Sequence, residues 1–511
     1  MKVHRRVRRV LSMEFRFESP VPASREALEA WHHGAGALGR LIPPTGGVEV
    51  CEAPASIANG ERAQLRVRLL PGIHANWLAE HTEVEPGVGF TDVQLEGPFR
   101  LWYHRHEFRA DPSVPGASLL VDRVTCEPFG GFAGRLLAGP MLRRRIGRLF
   151  AWRHQRTRGD LMHLARCKAD PKHILITGAT GMVGRSLVPL LKQAGHRITT
   201  LSRHASGPGS RVWDPARGYI DLAGLPPVDV VVHLAGENVA AGRWTATRRR
   251  AILESREQGT ALLARSLAAL DPKPAALVCA SGTSIYPADG RPHDESGPTD
   301  ASTFLGHVVD KWESAADPAR KAGIRVVHLR TGVVLNPAGG ALAAMLRPFL
   351  IGLGGPVGGG RPAMSWIADE DFTDLIHYCC LDETMEGVIN AVAPQPASST
   401  EFADTLGAVL GRPALLPVPS APLRLFYGQM ADETILANLH VVPGKLLAAG
   451  FPYRWPCLEG ALRHLLMRDV PPVAPPKQDA PEDSGGAPND GAAPEDNTAP
   501  QDGTAKASSP P

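Results

Sequence analysis

Two rhythms of apolar and polar positions divide the chain. Between Met13 and about residue 165 the two kinds alternate, in Met13–Val21 (MEFRFESPV), Gln64–Leu70, Phe90–Leu95, Leu101–Phe108 and Leu119–Thr125. Successive side chains of a strand point to opposite faces, so this alternation predicts half-buried strands. Short turn segments join them, which predicts an antiparallel sheet. A helical stretch is expected at Ser24–Leu41, and a long one closes the region at about Phe132–Leu164. Its apolar positions include Leu136, Leu137, Met141, Ile146, Leu149, Phe150 and Trp152, and Pro140 is expected to kink or interrupt it. From Pro171 the texture changes. The runs His173–Thr177, Arg197–Leu201, Val228–Leu234, Ala275–Ala280 and Arg325–Leu329 are largely apolar and alternate with helical segments. That is the rhythm of a parallel sheet wound with helices on both faces.

Residues 13–165 and 172–400 are therefore expected to be separate domains, joined by the short polar link Lys168–Pro171. From Asp469 to the end the chain is rich in Pro, Ala, Asp, Gly and Ser, cannot bury enough apolar surface to offset its ordering entropy, and is expected to be a disordered acidic tail. Residues 1–12 read as a basic leader or as the product of a start codon placed too early, with Met13 as the true beginning. The net charge of +3 hides these two ends, −6 from Asp469 onward and +5 before Met13. About +4 remains for the body, which is no argument for nucleic-acid binding. No run approaches the length of a membrane span, and no secretory signal is visible. The seven cysteines are scattered without a C-x-x-C pair. No metal site is expected, and a cytoplasmic setting fits.

The strand at His173–Thr177 runs into Gly178-Ala179-Thr180-Gly181-Met182-Val183-Gly184, and a helix follows at Arg185–Ala194. Gly178 permits the tight turn, Gly181 lets the backbone approach a pyrophosphate, and Gly184 lets the helix pack closely. The helix N-terminus then offers free N–H groups and a favourable dipole to phosphate. The flanking strand and helix make this spacing specific for a dinucleotide. Arg203 stands 19 positions after Gly184, where an NAD site usually carries a carboxylate. A guanidinium there pairs with a 2′-phosphate, and Ser202 is expected to add a hydrogen bond, so the expected cofactor is NADP(H). A second glycine-rich run, Gly352–Gly360, contains Pro356 and no following helix signal; it is expected to be a mobile loop near the substrate.

The phosphate loop, Val232–Glu237 (VHLAGE) and Cys279–Tyr286 (CASGTSIY) together resemble the extended short-chain dehydrogenase/reductases. The segments GRWT at Gly242, Ser255-Arg256, KWE at Lys311, LRTGVVL at Leu329 and SWI at Ser365 narrow the resemblance to the epimerase-like subfamily of the epimerase/dehydratase branch. That subfamily ends in a short C-terminal domain of unknown function, and Leu415–Leu466 is similar to it, including PGKL at Pro443 and AGF at Ala449. The resemblance covers about residues 172–466. It implies an NAD(P)-binding Rossmann fold, with Leu234, Ala235, Gly236, Ser281 and Tyr286 joining the loop and Arg203 at the cofactor. Tyr286 is expected to line the nicotinamide pocket. The order of elements in residues 13–165, a curved antiparallel sheet closed by a helix, resembles the START-like (SRPBCC) helix-grip domains, which implies an apolar ligand cavity.

The superfamily's proton-transfer device is Tyr-x-x-x-Lys on one helix face. None of the six tyrosines here has a lysine four positions on. Aligning on Glu313 puts Leu305 and Val309 where the pair would stand, and the polarising serine falls on Gly282, beside Ser281. Arg256 stands where many relatives have asparagine. One substitute has the same spacing in the same segment: His307-x-x-x-Lys311, with Ser281 as the accompanying hydroxyl. Three readings stay open. The chain is an NADP(H)-dependent oxidoreductase or epimerase-like enzyme with a non-standard acid/base and a small-molecule substrate. Alternatively it is a non-catalytic NADP(H) sensor whose first half binds an apolar ligand or partner. In the third, the first half captures an apolar substrate and passes it to the second.

Overall fold

Alternation decides the first sheet. In strand β1 (Met13–Val21), Met13, Phe15 and Val21 are buried while Glu14, Arg16 and Glu18 face water. The computed structural model describes residues 12–468, apart from residues 46, 71, 129–130, 206 and 208. The basic leader and the acidic tail expected from the sequence, Ser12 aside, lie outside the described residues. Helix α1 (Arg25–His33) starts where the Ser24 hydroxyl accepts the Ala27 N–H. The helix expected to run to Leu41 breaks at Gly34–Gly36 and resumes as α2 (Ala37–Arg40). A Cβ on Gly36 would stand 1.9 Å from the Pro189 carbonyl oxygen, so the break is where the two halves of the chain touch backbone to backbone.

Strands β2 (Val48–Glu52), β3 (Arg62–Leu70), β4 (Ile73–Glu85), β5 (Gly89–Glu96), β6 (Phe99–Ala110) and β7 (Ser118–Pro128) complete a seven-stranded antiparallel sheet in the order β1-β7-β6-β5-β4-β3-β2. Helix α3 (Gly131–Arg166) packs on it through Ile146 and Phe150. It runs through Pro140 without interruption: the ring falls nine residues after the helix start, and the rest of the hydrogen-bond ladder carries the helix past it.

The second half is an eight-stranded sheet in the order β11-β10-β9-β8-β12-β13-β15-β19. Its members are β8 (His173–Thr177), β9 (Arg197–Ser202), β10 (Ser210–Asp214), β11 (Tyr219–Ile220), β12 (Val230–His233), β13 (Ala276–Gly282), β15 (Arg325–Thr331) and β19 (Gly387–Ala391). All adjacent pairs are parallel except β10–β11. Helices α4 (Met182–Gln193), α5 (Ala246–Ala268), α6 (Phe304–Ser314), α7 (Asp317–Lys321) and α9 (Asp369–Leu381) cover its two faces; α8 (Gly340–Leu350) and α10 (Ser399–Leu410) share an adjoining core. Three two-stranded pairs brace the connections: β14 (Pro292–His293) with β21 (His440–Val441), β16 (Val333–Leu335) with β18 (Trp366–Ala368), and β17 (Ala363–Met364) with β20 (Ala397–Ser398).

The link at residues 168–171 is exposed, as its polarity implies, but the halves share a buried ionic seam. Asp160 of α3 accepts from Arg40 at 2.5 and 2.7 Å and from Arg454 at 2.9 Å; Arg454 also grips Asp374 of α9, and Arg156 meets Glu370 at 2.7 Å. Such charges are tolerated in a low-dielectric interior only when paired. The glycine-rich run 352–360 is tied down as well. The Val418 N–H donates to the Pro356 carbonyl at 2.8 Å and the Val357 N–H to Ser399 Oγ at 2.7 Å. Among the described residues no helix is long and apolar enough to cross a membrane.

Candidate cofactor and active site

Strand order reverses between β8 and β12, and open parallel sheets bind ligands at the carboxyl ends of strands flanking such a point. The loop after β8 sits there. Gly178 has φ +73°, and a Cβ on it would stand 2.8 Å from the Ala235 nitrogen. A Cβ on Gly184 would stand 2.3 Å from the Gly178 carbonyl oxygen, so this third glycine permits α4 to close on the loop. Gly181 caps α4 without a side-chain hydrogen bond, and Thr180 and Gly181 are exposed. The cradle is therefore open, made of backbone, and has its donors available to an anion. These features fit a dinucleotide pyrophosphate.

Side chains below the cradle hold its two loops together. Thr177 Oγ1 accepts the Leu234 and Ala235 N–H groups, both at 3.2 Å, and lies 2.6 Å from His233 Nδ1. His233 Nε2 meets Thr260 Oγ1 at 3.0 Å. Burial, helped by Arg256, lowers the His233 imidazole to about 4, so it is neutral near neutrality. Arg203 is exposed just past β9. The Ser202 hydroxyl donates its one proton to the His204 carbonyl at 2.6 Å, which corrects its expected role as a phosphate donor. Arg256 is a half-buried neighbour of Gly236; it donates to the Glu237 and Ile252 carbonyls at 3.0 and 3.2 Å and lies over Trp312. Burial brings its guanidinium down to about 10.

The reacting end is built differently. Ser281 on β13 pairs in register with Arg330 on β15. The Ser281 hydroxyl donates to Glu313 Oε1 at 2.7 Å, and Arg330 grips both oxygens of Glu313 at 2.9 Å each. Burial alone would raise the Glu313 carboxyl, but Arg330 and Ser281 hold it below its ordinary value. Glu313 and Arg330, which the sequence reading used only for alignment and family resemblance, are thus the partners of Ser281. A parallel register of two strands with a helix carboxylate beyond them leaves no short-range signature.

Two expectations are corrected. Tyr286 does not line an open pocket: it is 2% exposed, donates to Asn390 Oδ1 at 2.9 Å, and packs with Val309, Val392 and Val441 under Arg330. The structure also does not bring His307 and Lys311 to Ser281. Helix α6 turns about 100° per residue, which places them roughly 120° and 160° around the axis from Glu313. His307 is exposed, and Lys311 reaches Asp310 at 3.7 Å. Leu305 and Val309, at the positions of the absent Tyr–Lys pair, are buried. The start of α6 is held by Glu433 of the C-terminal segment, which accepts the Phe304 and Leu305 N–H groups.

Comparison with known proteins places the chain in a family. The model of the NAD dependent epimerase/dehydratase family covers residues 174–391, and that of a domain of unknown function, DUF1731, covers 418–465. Epimerase family protein SDR39U1 of Homo sapiens is 38% identical over 298 residues, 57% of this chain and 99% of the relative. The chain belongs to the NAD-dependent epimerase/dehydratase family. The crystal structure of human SDR39U1 (isoform 2) with NADPH superposes with a TM-score of 0.53 at 37% identity, over 57% of this chain and 98% of that one. A nucleoside-diphosphate sugar epimerase from Corynebacterium glutamicum superposes with a TM-score of 0.74 at 29% identity, over 89% of this chain and 91% of that one. This last likeness, unlike the family models, extends over both halves of the chain.

Proposed function

We propose that the chain is an NADP(H)-binding epimerase- or oxidoreductase-like protein whose site works without Tyr-x-x-x-Lys. The open glycine cradle at the strand-order reversal carries this reading. Gly178, Ala179, Thr180, Gly181, Met182, Val183 and Gly184 would hold the pyrophosphate, Leu234, Ala235 and Gly236 would flank it, and Arg203 would pair with the 2′-phosphate. The NADPH in the human SDR39U1 structure supports the choice. When bound, the dinucleotide supplies hydride chemistry. Ser281, its proton committed to Glu313, presents oxygen lone pairs and accepts a hydrogen bond from a substrate hydroxyl; Arg330 fixes Glu313 so that this orientation holds.

A non-catalytic sensor is the second reading. It is favoured by one observation: the Glu313 carboxylate is held by Arg330 and Ser281 below its ordinary value, which leaves it a weak base. The first half, a sheet closed by α3, is proposed as a START-like ligand-binding domain, and the seven cysteines, all free, suit a reducing cytoplasm. Calorimetric titration tests the cofactor assignment. Arg203→Glu is expected to weaken NADPH roughly 10–100-fold, the range of a lost charge-assisted hydrogen bond, and NADH much less. Equal losses for both would overturn it. NADPH oxidation across carbonyl and sugar-nucleotide substrates separates the two readings.

A further inference from the structure

The interior face of the first sheet is not wholly apolar. Neighbouring strands place His81 (β4), Asp92 (β5), His104 and His106 (β6) and Asp122 (β7) side by side: His81 pairs with Asp92, Asp92 with His104, and His106 with Asp122. Residues 104 and 106 are two apart on one strand and so share a face. His104, His106 and Asp122 are each 5% exposed or less, and His154 of α3 closes over them.

The hydrogen bonds in this cluster have a direction. Asp122 Oδ1 accepts from His104 Nε2 at 3.0 Å and lies 2.8 Å from His106 Nδ1. Asp122 Oδ2 lies 2.7 Å from His154 Nε2, and His154 Nδ1 meets Ser19 Oγ at 2.8 Å. The outward nitrogens of the pair, His104 Nδ1 and His106 Nε2, then converge on Asp92 Oδ2, at 3.8 and 3.2 Å. The other oxygen of Asp92 is held by His81 Nδ1 at 2.7 Å. His106 Nε2 is within hydrogen-bond reach of Asp92 Oδ2, and His104 Nδ1 is beyond it.

We propose that Asp92, His104 and His106 form a mononuclear site for a divalent transition-metal ion of the zinc or ferrous class. Donors at about 2.0–2.2 Å from such an ion stand roughly 3–3.5 Å apart, and these three lie within 4.8 Å of one another. Two imidazoles and one carboxylate suit Zn²⁺ or Fe²⁺ and leave coordination positions open for a small-molecule donor. Asp122 and His81 are the outer partners that fix ring tautomer and carboxylate orientation. Asp92, a quarter exposed, gives the site a path to solvent. The cysteine spacing that argued against a metal does not bear on histidines gathered across strands. A second group of potential ligands, His163, Cys167 and His377, is spent differently. His377 bonds His163 at 2.8 Å and His196 at 2.9 Å, and His196 Nδ1 accepts the Lys172 N–H, so one set of neutral tautomers satisfies the whole chain without a cation.

The test uses the full chain, stripped with a chelator and titrated with Zn²⁺ and with Co²⁺. One equivalent of each is expected to bind, Co²⁺ with visible absorption bands and no thiolate charge-transfer band. His104→Gln and Asp92→Asn are expected to weaken binding at least 100-fold, Asp122→Asn about 10–100-fold as an outer partner, and Cys167→Ser not at all. Asp92→Asn, at the partly exposed edge, guards against misfolding as the cause, with circular dichroism as the control. No stoichiometric binding of either ion would overturn the proposal and leave a proton on His106 as the bridge between the carboxylates. So would binding that persists in His104→Gln, or a thiolate band that Cys167→Ser removes.

Discussion

The two ends of the crevice above the parallel sheet solve opposite problems. At the cofactor end, glycines bring backbone to backbone, and the start of α4 carries no side-chain cap. At the reacting end, Ser281, Glu313, Arg330, Tyr286 and Asn390 are polar side chains bonded to one another. The first end is incomplete until an anion arrives; the second is complete already. A family member can therefore keep its cofactor cradle while the groups that would transfer a proton become structural. Whether that has happened here is a question about how independent the two ends are.

The largest effect is expected at the cradle. Gly184→Val puts carbon where the Gly178 carbonyl oxygen lies 2.3 Å from a Cβ, so the loop and α4 must separate. NADPH binding is expected to fall more than 100-fold by calorimetry, with far-ultraviolet circular dichroism retained. A near-native affinity would mean the cradle is not where the cofactor sits.

Glu313→Gln probes the other end. Arg330 and Glu313 side chains are 7% and 15% exposed, and breaking such a pair leaves a buried guanidinium without its counter-charge. A loss of about 3 kcal/mol in urea unfolding is expected, at the low end for a buried pair, since the amide keeps one acceptor. NADPH affinity should change less than threefold. A large loss of affinity with little loss of stability would show that the two ends are coupled and would favour the enzyme reading.

Between them, His233 links stability to pH. Its folded value, about 4, lies below the ordinary 6.5 or so, because burial disfavours the imidazolium. Below pH 6.5 the unfolded chain takes up a proton that the native chain refuses. This contribution is therefore fully present above about pH 6.5 and is lost as pH falls toward 4. By pH 5 the loss amounts to about 2 kcal/mol from this residue. Unfolding curves at pH 5 and 7 measure it, and His233→Gln should flatten the difference by that share. An unchanged slope would place the acid sensitivity elsewhere.

The same contrast explains what was legible in the chain. The cradle depends on local spacing and on glycine, which a tight turn and a close approach require, so Gly178 and Gly184 are legible in the sequence. The antiparallel and parallel sheets were legible because the apolar period changes at Pro171. Strand β4, long and only partly buried, was not, because its residues show no clean alternation. Glu313 as partner of Ser281 requires the β13–β15 register and the rotation of α6 together, and the seam through Asp160 joins residues nearly 300 apart in sequence. The burial of Tyr286 is not legible: the motif locates it at a strand end, while its exposure depends on Arg330, Asn390 and the C-terminal segment closing over it.

The smallest effect is expected at His307, and its size matters most for the choice between readings. The sequence spacing made His307-x-x-x-Lys311 the natural successor to the absent dyad. In the fold both side chains lie on the solvent side of α6, while Leu305, Val308, Val309 and Trp312 take the inner side. His307→Ala should leave the urea midpoint and NADPH affinity within error, because surface substitutions away from caps and buried pairs seldom register. Should a substrate be found, the turnover rate should be equally unmoved. A drop of about 10²–10⁴-fold, the usual contribution of a general acid or base, would require α6 to turn its outer face toward Ser281 during the reaction. The closed network at the reacting end would then be a resting arrangement, and Glu313 would have to release Arg330 for the site to work.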